Sequence, residues 1–323
     1  MSLTDKKLLC DIAKQYYEDG RTQAEIAQAF GISRPIVSRK LAEAKERGIV
    51  KVFVDKYEDD MSELERGLFS AFDLRGLRVS SVPEDDRELG IQITSSLGAQ
   101  YISEFIEPGD CIGVGWGWTL YELSNHMQQQ NISVDVVCQL TGSVDNAMTR
   151  GYSNEIVSNI SRKLNAKNAY IFPCPVMVDT SVIFDALRHD LKVRKVLDFG
   201  RRCNKIFINI ALPDQESCLY QAGYLNDDEL NHLTSGGAVG SVCCRFFDEN
   251  GNVCDEEIDE RTIGISIEDI RNADCVFACL TGRKKARAIY AALKSGLIDV
   301  LVIDSLTAAE VLKLVDANAA KEQ

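Results

Sequence analysis

The stretch Ser33-Arg34-Pro35-Ile36-Val37-Ser38-Arg39-Lys40 gathers hydroxyls, guanidinium groups and an ammonium within eight residues. Arg can pair bidentately with guanine O6 and N7, and Ser can bond a base edge or a phosphate. The chemistry available is therefore recognition of DNA, with Arg34, Lys40, Lys45 and Arg47 placed for phosphates. A second stretch, CIGVGWGWTLYE over 111–122, carries glycines ahead of a hydroxyl residue. Gly115 and Gly117 would let backbone amides approach a ligand, and Thr119 opens the next helix. Helix N-termini attract anions, so a phosphate or a phosphorylated small molecule is the expected guest. Thr119 with Glu122 could instead form a plain capping box.

Two weaker stretches follow other strand-like runs. Thr281-Gly282 leads into Arg283, Lys284 and Lys285, basic groups at a helix start that also suit phosphate, or simply a solvated face. Gln139, Thr141, Gly142 and Ser143 follow the run 134–140. The dinucleotide pattern G-x-G-x-x-G fails, because Gly113 and Gly115 would need their third glycine at Trp118. No Gly-x-Ser-x-Gly elbow and no His/Asp or Cys/His constellation nominates a catalyst. The 11 cysteines are scattered without zinc-ligand spacing and read as reduced, mostly buried thiols. DEEIDE (255–260) reads as an acid-rich surface loop. We expect no catalytic residue, metal or cofactor.

The elements that must position these groups can be read from spacing. Thr22 and Glu25 form a capping box at the start of a first helix with Ile26, Ala27 and Phe30 on one side. Gly31 permits the turn, Ser33 caps a second helix, and Pro35 sits in its first turn, where a missing N–H costs nothing. At about 100° per residue Val37, Leu41 and Ala44 share the packed face. Pro35, Ser38 and Arg39 point away from it, the geometry of a recognition helix. The alternative is an ordinary helical hairpin with a solvated charged face. Leu8 to Tyr17 supplies a supporting third helix, ended by Gly20. The run 49–55 is a wing or a linking strand, and 57–72 ends in a helix with Leu64, Leu68 and Phe72 at spacing four.

From Tyr57 the chain alternates. Strand-like runs lie at 78–82, 111–116, 134–140, 169–173, 205–210, 275–280 and 300–304. Helical segments lie at 85–106, 119–130, 153–164 and 283–295. The strands are continuous apolar runs, as when helices cover both sheet faces. The expected fold is α/β: an all-α helix-turn-helix head over 1–56, then a doubly wound, mostly parallel Rossmann-like sheet over 57–323.

Charge supports the division. The net charge is −13, but residues 1–56 hold 11 Lys/Arg against 8 Asp/Glu, a net of +3, leaving −16 for the rest. A basic DNA-reading head on an acidic body has this asymmetry. The 323 residues suffice for two domains, and 45% apolar with 26% charged residues is a globular composition. No run approaches the roughly 18 apolar residues of a membrane span, and the N-terminus lacks a signal core. A cytoplasmic protein with no membrane partner is expected.

The chain resembles the SorC family of sugar-responsive bacterial transcription regulators over nearly its whole length. The head resembles the family in YYEDGRTQAEIAQAFGISRPIVSRKLAEAKERGIV. The body does so in GVGWGWTL, QLTGS, GGAVGS followed by RFFDENG, and TGRKKARAIYAALKSGLIDVLVIDSLTAAEVL. The resemblance implies a body related in fold to sugar-phosphate isomerases and glucosamine-phosphate deaminases, acting as a sensor. It implies a homo-oligomer, commonly a tetramer, on palindromic operator DNA. It places the effector phosphate at Gly115 to Thr119 and an effector contact at Lys285, and brings Trp118, Ser241 and Asp248 into the candidate set. Relatives usually have Asp where this chain has Ser241, and a smaller or polar residue at Trp118. The DNA-contacting set is Gln23, Ser33, Arg34, Pro35, Ser38, Arg39 and Lys40. The effector set is Gly115, Gly117, Trp118, Thr119, Gln139, Thr141, Gly142, Ser241, Asp248, Thr281 and Lys285. A phosphorylated sugar controlling a carbohydrate-use operon is the expected function. The alternatives are a phosphosugar isomerase or deaminase with a DNA-binding head, and a nucleotide sensor.

Overall fold

The computed structural model of the chain describes residues 3–46, 49–50, 62–83, 86–144 and 153–319. The chain divides into two compact units, residues 1–60 and 61–323. Residues 51–61, which hold most of the strand-like run after Gly48 and the expected boundary at Tyr57, lie outside the described residues, as do Arg47 and Gly48.

The first unit is three helices: α1 (Leu3–Tyr17), α2 (Gln23–Phe30) and α3 (Arg34–Glu46). Local chemistry accounts for their ends. Thr22 Oγ1 accepts from the Glu25 amide and Glu25 Oε2 accepts from the Thr22 amide at 2.8 Å, so both expected arms of the capping box are present. Those bonds from Thr22 hold the Glu25 carboxyl below its ordinary range. Gly31 closes α2 at φ 63°, a left-handed backbone that β-branched residues resist. Ile12, Ile26, Ala27, Val37 and Leu41 form the core, with Leu9 and Ala44 also buried.

The second unit opens with α4 (Glu63–Ala71), capped by Ser62 and Glu65 in a second reciprocal box. There follow β1 (Gly76–Ser80), α5 (Arg87–Tyr101), β2 (Cys111–Val114), α6 (Trp118–His126) and β3 (Val136–Gln139). Next come α7 (Ser153–Lys163), β4 (Asn168–Tyr170), α8 (Ser181–His189), α9 (Leu191–Gly200), β5 (Lys205–Ile208) and β6 (Ile210–Ala211). Then α10 (Cys218–Gln221), α11 (Asp227–Ser235), β7 (Gly240–Val242), β8 (Arg245–Phe247), α12 (Glu256–Arg261) and α13 (Ile267–Arg271). The unit ends with β9 (Cys275–Leu280), α14 (Ala286–Lys294), β10 (Val300–Asp304) and α15 (Ser305–Ala319).

Seven strands make one parallel sheet in the order β1-β10-β9-β5-β2-β3-β4. Successive residues of β5 explain its unbroken apolar sequence: Ile206 and Ile208 bury into one core cluster, Phe207 into the other. The same division puts Ala278 on one face and Phe277 on the other. Both faces are dry, as continuous apolar strands require.

The structure changes three readings. The apolar run 205–210 is not one strand. β5 stops at Ile208, and β6 leaves to pair antiparallel with β7, Ile210 opposite Val242. The break falls at Asn209, the run's one polar residue after Lys205. Residues 255–260 are not a loop: Asp255 Oδ1 accepts from the Ile258 amide at 2.8 Å and starts α12, which buries Ile258. Thr119 does not cap α6, whose N-cap is Gly117.

β7 and β8 are joined by only Cys243 and Cys244, both at positive φ (47° and 64°). Such two-residue hairpins favour Asn-Gly because each central residue must be left-handed. Two cysteines there carry a strain of about 1–2 kcal/mol each.

Candidate functional site

The order of the sheet selects the site. The chain adds β2, β3 and β4 toward one edge, then β5, β9 and β10 toward the other. The direction reverses between β2 and β5, and in open α/β sheets ligands bind beyond the carboxyl ends of strands at that point. A cavity of about 570 Å³ lies there. Gly115 to Thr119 enter it from β2, Asn209 from β5, Thr281 to Lys285 from β9, and Asp304 and Thr307 from β10.

The loop after β2 is held down by its backbone. The Gly115 amide donates to the Phe207 carbonyl at 2.8 Å, tying the loop to β5. Gly117 has φ 137°, a conformation side chains rarely adopt. It is the N-cap residue of α6, and no side chain caps the helix. Thr119 is the second residue of α6 rather than its cap, and its carbonyl accepts from Ser95 Oγ at 3.0 Å. Glu122 does not complete a box either: its Oε1 accepts from the Trp118 indole at 3.1 Å. The spacing of Thr119 and Glu122 suits a capping box, but Gly117 turns the chain into the helix two residues earlier. The leading amides of α6 are thus presented without a side-chain acceptor, which is how a helix N-terminus receives an anion.

The opposite wall carries the cations. A 3-10 turn, Arg283–Lys285, precedes α14, and Gly282 stands at its start with φ 109°. Asp304 fixes this wall. Its Oδ1 accepts from the Thr307 amide at 2.8 Å, and its Oδ2 from Thr307 Oγ1 at 2.5 Å and from the Gly282 amide at 3.2 Å. Lys284 and Arg87 both reach Glu216, at 3.2 and 3.5 Å, and Arg283 reaches Glu310 at 2.6 Å. Lys285 has no ion pair among the described residues. Desolvation by the walls lowers its pKa to about 8, the Arg87 charge adds to this, and Asp214 opposes it. Burial in turn raises the Asp214 carboxyl, with Glu216 reinforcing the shift. Cys243 also lines the cavity, and burial pushes its thiol up to about 12, so it carries no thiolate near neutral pH.

Of the expected effector residues, Gly115, Gly117, Trp118, Thr119, Ser241, Thr281 and Lys285 meet at this cavity. Gln139, Thr141, Gly142 and Asp248 do not line it. Gln139 is fully buried, donating to the Thr141 carbonyl at 2.6 Å and to Ser143 Oγ at 3.1 Å, and accepting from the Phe172 amide. Thr141 Oγ1 accepts from the Trp116 indole at 2.8 Å. Gly142 passes against the backbone of Pro175 and Val176. Asp248 Oδ1 accepts from the Asn250 and Asn252 amides, shaping a turn. The sequence reading missed Asn209, Arg87, Asp214 and Asp304. Asn209 and Asp304 shared a detectable signal, a polar residue at the end of an apolar strand.

In the first unit Ser33, Arg34, Pro35, Ser38 and Arg39 are exposed, and Gln23 is half-buried at the start of α2. Lys40 is half-buried and pairs with Glu43 at 2.9 Å, so part of its charge is already engaged. Lys45 lies over the Tyr17 ring.

Among the described residues no group of three or more His, Cys, Asp or Glu could hold a metal ion, and no helix is long and apolar enough to cross a membrane. A family model described as "Putative sugar-binding domain" matches residues 57–313. The chain is 31% identical over 308 residues to the deoxyribonucleoside regulator of Bacillus subtilis (strain 168), covering 95% of this chain and 98% of that one. It is 26% identical over 311 residues to the sorbitol operon regulator of Klebsiella pneumoniae, covering 96% and 98%. The crystal structure of the full-length sorbitol operon regulator SorC from Klebsiella pneumoniae superposes with a TM-score of 0.74 at 27% identity, over 95% of this chain and 99% of that one.

Proposed function

The chain belongs to the SorC family of bacterial transcription regulators, and on that premise we propose a regulator whose operator affinity is set by a phosphorylated sugar. The observation that carries the reading is the pairing of an uncapped α6 N-terminus with Lys285, a cation lacking an ion pair among the described residues, in one cavity at the sheet's switch point. Helix amides and an ammonium suit a phosphate dianion. Residues 57–323 serve as the effector-binding and oligomerising body, and Ser241, Thr281 and Trp118 contact the sugar. The ligand is bound, not turned over. One relative is named for deoxyribonucleosides and one for the sorbitol operon, which supports reading this chain as a regulator of a carbohydrate-use operon; we place it in the cytoplasm.

The pH dependence of binding tests the anion reading. Lys285 must be charged to hold the phosphate, and a bound dianion raises its pKa above the unliganded value of about 8. The gain is fully present below about 8 and is lost as pH rises through the bound-state value. The phosphate loses its second charge below about pH 6. Calorimetric titration with a panel of sugar phosphates is expected to give the tightest binding between these limits. Above pH 8 the dissociation constant rises by up to about tenfold per unit, the one-proton limit. Lys285→Met flattens the upper limb. Free sugars binding as tightly as their phosphates sink the reading.

Residues 1–56 serve as the DNA-binding head, with Gln23, Ser33, Arg34, Pro35, Ser38, Arg39 and Lys40 at the duplex and α3 in the major groove. A symmetric homo-oligomer places two heads on paired half-sites about one helical turn, or a multiple, apart. Effector coupling of roughly 1–3 kcal/mol would change operator affinity about 5–150-fold. Arg39→Ala is expected to weaken discrimination between operator and scrambled DNA by about 1–3 kcal/mol in a competition binding assay. Full discrimination by the variant would remove Arg39 from the base-reading set.

A further inference from the structure

Asn209 stands where the central strand ends and the small sheet begins, in the wall of the cavity. Its Oδ1 is buried without a hydrogen-bond partner among the described residues. Its amide nitrogen has none there either, and it lies 2.6 Å from where a Cβ on Gly117 would be. Buried polar groups in native structures are nearly always paired, and an exception calls for a reason. The surroundings limit the reasons. Gly117 is the residue that leads into α6, whose first amides have no side-chain acceptor. The neighbouring Gly115 amide is already bonded to the carbonyl of Phe207 on β5, two residues before Asn209. The side-chain amide of Asn209 therefore sits beside a set of N–H donors, held at a strand end, with no acceptor for its own N–H groups among the described residues.

We propose that Asn209 is a phosphate-positioning residue, its Nδ2 donating to a phosphoryl oxygen of a ligand seated at Gly117–Thr119. The assignment rests on the anion reading of the cavity given above. The side-chain amide extends the backbone donors of α6 by one neutral donor that bears no charge of its own, so it fixes where the phosphoryl group lies rather than adding to the cationic wall. The glycine at 117 is required by the same arrangement, since any side chain there would take the place of the Asn209 amide.

The test uses the full chain with ribose 5-phosphate, glucose 6-phosphate and inorganic phosphate as probes, read by melting temperature and by calorimetry at constant ionic strength. Asn209→Ala is expected to leave the unliganded melting temperature unchanged or higher, because a buried unpaired oxygen is removed. It should weaken the best phosphate probe about tenfold. Asn209→Asp keeps the shape but sets an anion against the phosphate, and should weaken the probe further than Asn209→Ala does. An Asn209→Ala protein that melts lower without ligand and binds the probe as wild type does overturns the assignment while leaving the cradle intact, because it makes the residue structural. Asn209→Asp binding as tightly as wild type overturns it as well. A wild type that no phosphate probe stabilises overturns the anion reading itself and this assignment with it.

Discussion

Arg245→Leu is expected to destabilise the second unit by about 3–5 kcal/mol, the loss seen when one partner of a buried charged network is removed. Arg245 follows the Cys243-Cys244 turn and is only 5% exposed. Its guanidinium spends its donors on backbone carbonyls: Nε to Ile265 at 2.9 Å, Nη1 to Asp259 at 2.6 Å, and Nη2 to Thr262 and Gly264 at 3.0 and 3.1 Å. Asp259 Oδ1 lies 2.8 Å from Nη1 without making a hydrogen bond, so it contributes charge rather than alignment. One side chain thus satisfies four carbonyls of the segment 259–265. That segment in turn bridges to Thr141 through Gly264 and to Met177 through Thr262. Leucine leaves the Thr262, Gly264 and Ile265 carbonyls without these donors, while the Asp259 carbonyl keeps the Thr262 amide at 3.1 Å, a loss that is costly even though the volume is acceptable. Arg245→Lys should recover little, since an ammonium lacks the planar fork. The measurement is urea unfolding followed by helical circular dichroism. A loss under about 1 kcal/mol would mean that water or rearranged backbone replaces the network.

Gly142→Ala carries the second large effect and separates two roles for the QLTGS stretch. A Cβ on Gly142 would lie 2.2 Å from the Pro175 carbonyl oxygen, 2.5 Å from its carbon and 2.6 Å from Val176 Cα. These are backbone atoms, and the Gly142 amide is itself bonded to the Ile263 carbonyl at 2.9 Å. Nothing flexible can give way, so overpacking is expected to cost about 1–3 kcal/mol or more. The folded protein should keep its affinity for sugar phosphates within about twofold, because Gly142 lies outside the cavity. Weakened ligand binding at an unchanged melting temperature would return Gly142 to the effector set.

These two residues show where sequence reading stops. The capping box at Thr22, the buried face of α3, the Gly31 turn and the strands at 275–280 and 300–304 follow from bonds and periodicities spanning a few residues. So does the contrast between a basic head and an acidic body, which is additive in composition. The loop Gly115 to Thr119 was legible as a Gly-rich turn into a helix for the same reason: its glycines and the helix behind them are neighbours in the chain. Register was less secure. Thr119 and Glu122 have the spacing of a box, yet Gly117 starts the helix and Trp118 takes Glu122.

The remaining features depend on residues far apart in the chain. Asn209 ends β5 because Ile210 is recruited by Val242, 32 positions away. Gln139 and Thr141 look like polar loop residues, but Phe172 and Trp116 claim their side chains. Lys285 is one of three basic residues in a row. Only the walls around it, with Arg87 nearby and no ion pair among the described residues, set it apart from Arg283 and Lys284. The sequence by itself therefore determined the family, the two units and the place of the Gly-rich loop leading into α6, because short-range bonding and patterning encode them. The tertiary structure decided which polar groups are satisfied within the fold and which have no partner among the described residues, because that depends on contacts made only when distant segments meet.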